Sequence, residues 1–177
     1  MDITLVRYSA SADASASLSS ATSAVIQAEV IAVAELFYAA VHSIDDVVYS
    51  TAQRHAWAPY PIDYAKWQRR LTRKRPWLAL AEGQVVGFAE LDDDGHIDCM
   101  YTAPNYQRYG IASALYAVLE QHAIALALPR LYVEASYLAR PFFFKQGFRQ
   151  RQQNVVERNG EQLVNFTMEK WLSSSPS

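Results

Sequence analysis

A mixed α/β fold, with helices covering a largely antiparallel sheet, is what this chain predicts, and three observations predict it. Apolar runs from Trp77 to Glu82, Val85 to Leu91 and His96 to Thr102 are separated only by Gly83-Gln84 and Asp92-Asp93-Asp94-Gly95, the spacing of an antiparallel meander. The apolar period changes to a helical one over Val25 to His42 and again over Ile111 to Ala127. Asn159-Gly160 stands between Arg149–Glu157 and Gln162–Met168 as a two-residue hairpin signal. With 177 residues and 51% hydrophobic content, the chain suits a single domain over 1–177 with a core of its own.

Taken in order, Ile3 to Tyr8 reads as a first strand. The stretch at about 9–24 is almost wholly Ser and Ala, a low-complexity insert read as a mobile loop or a loosely held helix entry. Val30, Val33, Ala34, Phe37 and Val41 share one face of the helix that follows. Asp45 to Pro61 reads as irregular and aromatic-rich, holding Tyr49, Trp57 and Tyr60. Asp63 is placed to cap a helix through Lys74, with Trp67 and Leu71 on one side. After the meander, the Ile111 helix turns Leu115, Val118, Leu119 and Ala123 inward and ends at Pro129-Arg130. Leu131 to Ala135 is a strand, Ala139 to Gln146 a short helix closed by Gly147, and the hairpin completes the chain.

A formal net charge of -2 argues against an electrostatic nucleic-acid binder, and the cluster Arg73-Lys74-Arg75 reads as a solvated helix face. Cys99 is the only cysteine, which fits a reducing compartment. No apolar stretch is long enough to span a bilayer, and the start Met1-Asp2-Ile3-Thr4 lacks a signal-peptide pattern; a cytoplasmic protein is expected. His42 and His55 lack metal-like spacing partners, so no metal is expected.

Tyr106-Gln107-Arg108-Tyr109-Gly110-Ile111-Ala112-Ser113 joins the last meander strand to a helix. Free N–H groups and the positive end of the helix dipole converge there, and Gly110 and Ala112 keep side chains out of the way of a pyrophosphate. No Lys stands where a Walker A loop needs one, so the turn points to a phosphate-bearing cofactor held by main chain.

The segment Gln107-x-x-Gly110-x-Ala112, with the block Glu134-Ala135-Ser136-x-x-Ala139 and the run Phe142-Phe143-Phe144-Lys145-Gln146-Gly147-Phe148, resembles the GNAT superfamily of acyl-CoA-dependent N-acetyltransferases. Asn165-Phe166-x-Met168 and the Ala-x-Pro-Phe-Phe segment extend the likeness to its YafP-like bacterial branch. The resemblance implies acetyl-CoA as cofactor and a V-shaped opening between the fourth and fifth strands. It puts the pantetheine arm on the backbone of Met100, Tyr101 and Thr102, and the pyrophosphate on the turn from Gln107 through Arg108, Tyr109, Gly110, Ile111 and Ala112 to Ser113. Ser136 falls where relatives contact the cofactor, though it also suits a helix cap, and Phe143 is expected to pack against the pantetheine.

Acetyl transfer requires a deprotonated amine and benefits from a proton source for the departing thiolate. His96, with an unperturbed pKa of about 6.5, is the candidate base or else a solvent-facing strand start. Asp98 reads as an orienter, base or substrate anchor, and alternation puts His96, Asp98 and Met100 on one sheet face with Cys99 opposite. Relatives carry a Tyr acid where this chain has Phe143, so Tyr137 is the nearest substitute phenol, or an amphipathic surface residue. Tyr49, Trp57, Tyr60 and Trp67 form either an acceptor wall or packing. The resulting reading is an N-acetyltransferase working by direct attack in a ternary complex. Its partner is a small-molecule or peptide amine, and neither nucleic acid nor membrane. A non-catalytic acyl-CoA-binding or sensing module is the alternative, and the Asn159-Gly160 hairpin is a candidate edge for a homodimer.

Overall fold

The computed structural model describes residues 2–9 and 20–172, so most of the Ser/Ala insert lies outside the described residues. Strands β1 (Ile3–Arg7), β2 (Trp77–Ala81), β3 (Gln84–Ala89) and β4 (Met100–Thr102) form an antiparallel sheet in that order. Strands β5 (Arg130–Ala135), β6 (Arg149–Arg158) and β7 (Glu161–Trp171) form a second one in the order β5-β7-β6. Helices α1 (Ser20–His42), α2 (Thr51–Trp57), α3 (Tyr64–Lys74), α4 (Ile111–Ala125) and α5 (Arg140–Lys145) flank the sheets.

α1 and α3 cover one face of the first sheet, burying Val30, Val33, Leu71, Leu78 and Phe88 together. α4 covers the opposite face, where Ile111, Leu115 and Leu119 meet Val86, Leu131 and Met168 in a core shared by both sheets. Removing such side chains from water supplies most of the stability. The Asp63 carboxylate caps α3 by accepting from the Lys66 N–H at 2.8 Å.

Three expectations need correction. Asp45 to Pro61 is not irregular throughout: α2 runs Thr51–Trp57 behind a capping box in which Ser50 and Gln53 each accept the other's backbone N–H. The first hairpin turn is Glu82-Gly83, both with positive φ (51° and 78°), so Gln84 belongs to β3. At the Asn159-Gly160 hairpin, Asn159 Nδ2 donates to the Ala56 carbonyl at 2.8 Å and ties the tip to α2, while β6 stays an edge strand with β7 as its neighbour.

The third correction matters most for the site. His96 to Cys99 does not continue β4. Ile97 N–H donates to Tyr132 O and Tyr132 N–H to Gly95 O, which ties His96 beside Tyr132 of β5 in a parallel bridge, whereas Glu90 N–H donates to Cys99 O on the other side. The segment thus passes from pairing with β5 to pairing with β3, and β4 and β5 splay apart beyond it. Gly95 (φ 91°) is needed at this junction, since a Cβ there would lie 2.1 Å from the Arg130 carbonyl oxygen.

Candidate active site

The turn into α4 is built as an anion cradle. A short 3-10 turn, Pro104–Tyr106, brings the chain round, and Gly110 (φ 80°) is the N-cap with no side-chain capping bond. The first helical bond recorded there is Ala114 N–H to Gly110 O, so the N–H groups of Ile111, Ala112 and Ser113 have no intrahelical acceptor. Their dipoles add to the positive end of the fifteen-residue helix. Ile111 is buried and anchors the helix, while Gln107, Arg108, Tyr109, Gly110 and Ser113 are exposed. Nothing lies within 4 Å of where a Gly110 Cβ would stand, so the space above the turn is open.

The register of β4 decides which backbone groups face the splay. Ala103 N–H donates to Val86 O and Glu90 N–H to Cys99 O, with Phe88 opposite Tyr101. Antiparallel pairing alternates, so Cys99, Tyr101 and Ala103 direct their main-chain groups at β3, and Met100 and Thr102 direct theirs into the opening. On the other lip, Tyr132 bonds toward Gly95 and Ile97, so Glu134, two residues on, also turns its main chain to the opening. Of the expected backbone contacts, Met100 and Thr102 are available, and Tyr101 is not, because β3 uses it.

Beside the splay lies a cavity of about 740 Å3. Phe37, Trp57, Trp67 and Tyr101 give it an aromatic wall, with ring centroids 5.1 Å apart for Phe37–Trp67 and 4.9 Å for Phe37–Tyr101. Tyr49 also lines it, but Tyr60 is 73% exposed and stands outside. Ser136 lines the cavity and caps the next turn by accepting from Ala139 N–H at 3.2 Å.

A chain of charges forms the inner wall. Arg70 of α3 donates from Nε to Glu90 Oε1 at 2.8 Å and from Nη2 to Glu90 Oε2 at 2.5 Å, Asp98 Oδ2 at 2.8 Å and Cys99 Sγ at 3.2 Å. Lys74 pairs with Asp92 at 2.6 Å and Asp98 at 2.7 Å. His96 Nε2 meets Glu134 Oε2 at 2.5 Å and its Nδ1 lies 3.5 Å from Asp92. Glu90, Asp98 and Cys99 are close enough to suggest a cation site, and the Arg70 guanidinium fills it. Burial pushes the Glu90 carboxyl up against the opposing pull of Arg70. Burial also pushes Asp98 up, but Lys74 and Arg70 outweigh it and hold that carboxyl below its ordinary value. The hydrogen bond to Glu134 raises His96 above its ordinary value despite burial. Burial drives the Cys99 thiol well up from its ordinary value, which disfavours the thiolate.

The expected catalytic residues separate. Asp98 lines the cavity; His96 does not, and it sits behind Glu134 with its ring stacked on Tyr132. The single-face placement of His96, Asp98 and Met100 fails. Ile97 and Met100 pack toward α4, Cys99 and Tyr101 toward α1 and α3, and two residues stand where alternation allows one. Asp98 and Cys99 therefore share Arg70 rather than opposite faces. Tyr137 packs its ring against Tyr49 and Phe166 and does not line the cavity. Phe143 is 2% exposed and wedged between Phe142 and Phe148 in the main core, so it offers no surface to a pantetheine arm. Glu134 and Arg70 were not foreseen as site residues. A signal for Glu134 was present: Val133 and Ala135 are buried on one face of β5, which turns Glu134 to the other.

Residues 45–170 match the family model described as an acetyltransferase (GNAT) domain. An uncharacterized N-acetyltransferase, YafP, of Escherichia coli K12 is 37% identical over 120 residues, which is 68% of this chain and 75% of that one. A GCN5-related N-acetyltransferase structure from Rhodopseudomonas palustris superposes with a TM-score of 0.81 at 32% identity, covering 96% of this chain and 95% of that one. The PaiA N-acetyltransferase of Thermoplasma acidophilum, solved in complex with coenzyme A, shares the fold at 17% identity with a TM-score of 0.71, covering 97% of this chain and all (100%) of that one.

Proposed function

Because the chain belongs to the acetyltransferase (GNAT) domain family, we propose that it transfers the acetyl group of acetyl-CoA to an amine by direct attack inside a ternary complex. One observation carries this reading: the uncapped start of α4, the outward main chain of Met100 and Thr102, and the cavity all meet at the splay between β4 and β5. These residues fit the cofactor. The N–H groups from Arg108 to Ser113 would hold its pyrophosphate, with Gln107 and Tyr109 flanking and the Ser113 hydroxyl adding a donor. The outward main chain of Met100 and Thr102 would pair with the pantetheine amides.

Acetyl-CoA supplies an acyl group already activated as a thioester; the protein supplies position and proton handling. Asp98 and Glu134 line the cavity and draw an ammonium toward the splay. Glu134 takes the first proton, and His96 holds that carboxylate and spreads the added charge. The amine nitrogen then bonds the carbonyl carbon as the C–S bond breaks. Of the two protons the ammonium gives up, one leaves through Glu134 to solvent and the other ends on the coenzyme thiol. Tyr137, outside the cavity wall, is assigned no step. We place the protein in the cytoplasm.

Acetyl-CoA is expected to raise the melting temperature, since a ligand at 100 times its Kd adds about 2.7 kcal/mol to the native state. A folded protein whose melting temperature does not move at millimolar acetyl-CoA, and which releases no thiol with any amine, would overturn the reading.

A further inference from the structure

Resting on that reading of the site, we propose that Tyr49 is a positioning residue for acetyl transfer: its hydroxyl replaces one rung of the β5–β7 ladder and so fixes Glu134 and Ser136 in the wall of the cavity. β5 and β7 pair antiparallel from Arg130↔Trp171 to Ala135↔Phe166, and the same register continued sets Tyr137 opposite Val164. Tyr132 spends its main-chain groups on Gly95 and Ile97, so by alternation Leu131, Val133, Ala135 and then Tyr137 are the residues that bond toward β7. A direct rung from Tyr137 N–H to the Val164 carbonyl is due there. Instead the Tyr49 hydroxyl stands between them, accepting from Tyr137 N–H at 3.2 Å and donating to the Val164 carbonyl at 2.9 Å. One side-chain oxygen thus satisfies both main-chain groups and holds the two strands apart.

This wedge lies in the cavity wall, where Tyr49, Val164 and Asn165 join Glu134 and Ser136. Glu134 and Ser136 are two residues apart on one side of β5, and the wedge takes the very next residue. Past it the chain turns at once, with Ser136 Oγ accepting from Ala139 N–H, so no further ladder locates the end of β5. Tyr49 is itself well held. It is 2% exposed, packs with Ile44 and Leu163, and its ring centroid lies 5.4 Å from that of Trp57. It stands one residue before Ser50, the N-cap of α2, and Gln53 of α2 donates to the Gln162 carbonyl of β7 at 2.7 Å. A hydroxyl anchored beside α2 therefore sets where the β5 side of the cavity stands relative to the α2 side. Its proton is committed to Val164, so Tyr49 acts through β5 and takes no part in proton transfer.

The test is Tyr49→Phe, which keeps the ring in its cluster and removes only the hydroxyl. Exchange of the Tyr137 amide proton, followed by NMR, is expected to become about fivefold faster or more. Initial-rate thiol release is measured with benzylamine, spermidine and a short peptide with a free N-terminus. For each of these that the wild type accepts, kcat/KM is expected to fall about tenfold, as a misplaced proton acceptor requires. The calorimetric Kd for acetyl-CoA is expected to stay within about twofold, since β4 and the turn into α4 are untouched. Ile44→Val thins the same cluster without touching the rung, and is expected to lower the melting temperature while leaving kcat/KM within about twofold. The proposal is overturned if Tyr49→Phe leaves the Tyr137 amide or kcat/KM unchanged, if Ile44→Val loses as much activity, or if acetyl-CoA binding falls in step with turnover. A wild type that releases no thiol with any of the three amines overturns it too. In that case, acetyl-CoA still raising the melting temperature leaves the cofactor assignment standing, and no rise removes both.

Discussion

Arg70 donates to Glu90, Asp98 and Cys99 at once, so its loss leaves Glu90, with no exposure to solvent, as a carboxylate stripped of its partner. Arg70→Met is expected to cost about 3 kcal/mol in denaturant unfolding, and Arg70→Met with Glu90→Gln considerably less, because the penalty is the bare charge. His96 carries a pH signature. Its pKa is raised in the folded protein, so the His96–Glu134 pair adds stability that is fully present below about pH 6.5 and is lost as pH rises through the raised value. The stability gap between wild type and His96→Gln should therefore narrow on going from pH 6 to pH 9. A gap that widens with pH contradicts the assigned direction. In the Glu134→Gln variant, an imidazole NMR titration should find the His96 pKa lowered. That variant's kcat should also fall by about 10- to 100-fold, within the range a positioned proton acceptor contributes.

The elements were readable to different depths. Regular α3, α4 and the β6–β7 hairpin announce themselves through an N-cap at Asp63, the spacing of Leu115 and Leu119, and the αL pair Asn159-Gly160. α2 was hidden because it is only seven residues long and aromatic, with no apolar period to find, although its Ser50–Gln53 capping box was in plain view. The break at His96–Cys99 was hidden for a different reason: alternation along one strand cannot reveal that the strand changes partners midway. Gly95 holds that exchange. Gly95→Ala must move the Arg130 backbone and also strain a positive φ, so it should cost about 3 kcal/mol or more and leave the protein poorly folded by circular dichroism. Gly110→Ala differs, since no protein atom blocks the Cβ. Its cost to stability is about 1 kcal/mol from φ alone, and the larger effect should be a weaker Kd for acetyl-CoA in calorimetric titration.

At the scale of the molecule, the two sheets meet through one short bridge and one shared core, and that junction sets both the opening between β4 and β5 and the cavity beside it. The uncapped turn into α4 was legible in the sequence because main chain builds it, and a turn with Gly110 and Ala112 states its geometry locally. The cavity was not, because it assembles Trp57, Trp67, Asp98, Glu134 and Arg158 from five separate segments that only tertiary packing brings together. The order of events also belongs to the whole molecule. The proposed direct attack holds both substrates at once, with Cys99, bonded by Arg70, carrying no acetyl group. The most direct test is an initial-rate study that varies acetyl-CoA and an accepted amine together while following thiol release. Double-reciprocal lines that intersect, with one thiol released per acetylated amine, are the predicted result. Parallel lines, the mark of an acetylated enzyme intermediate, would contradict it.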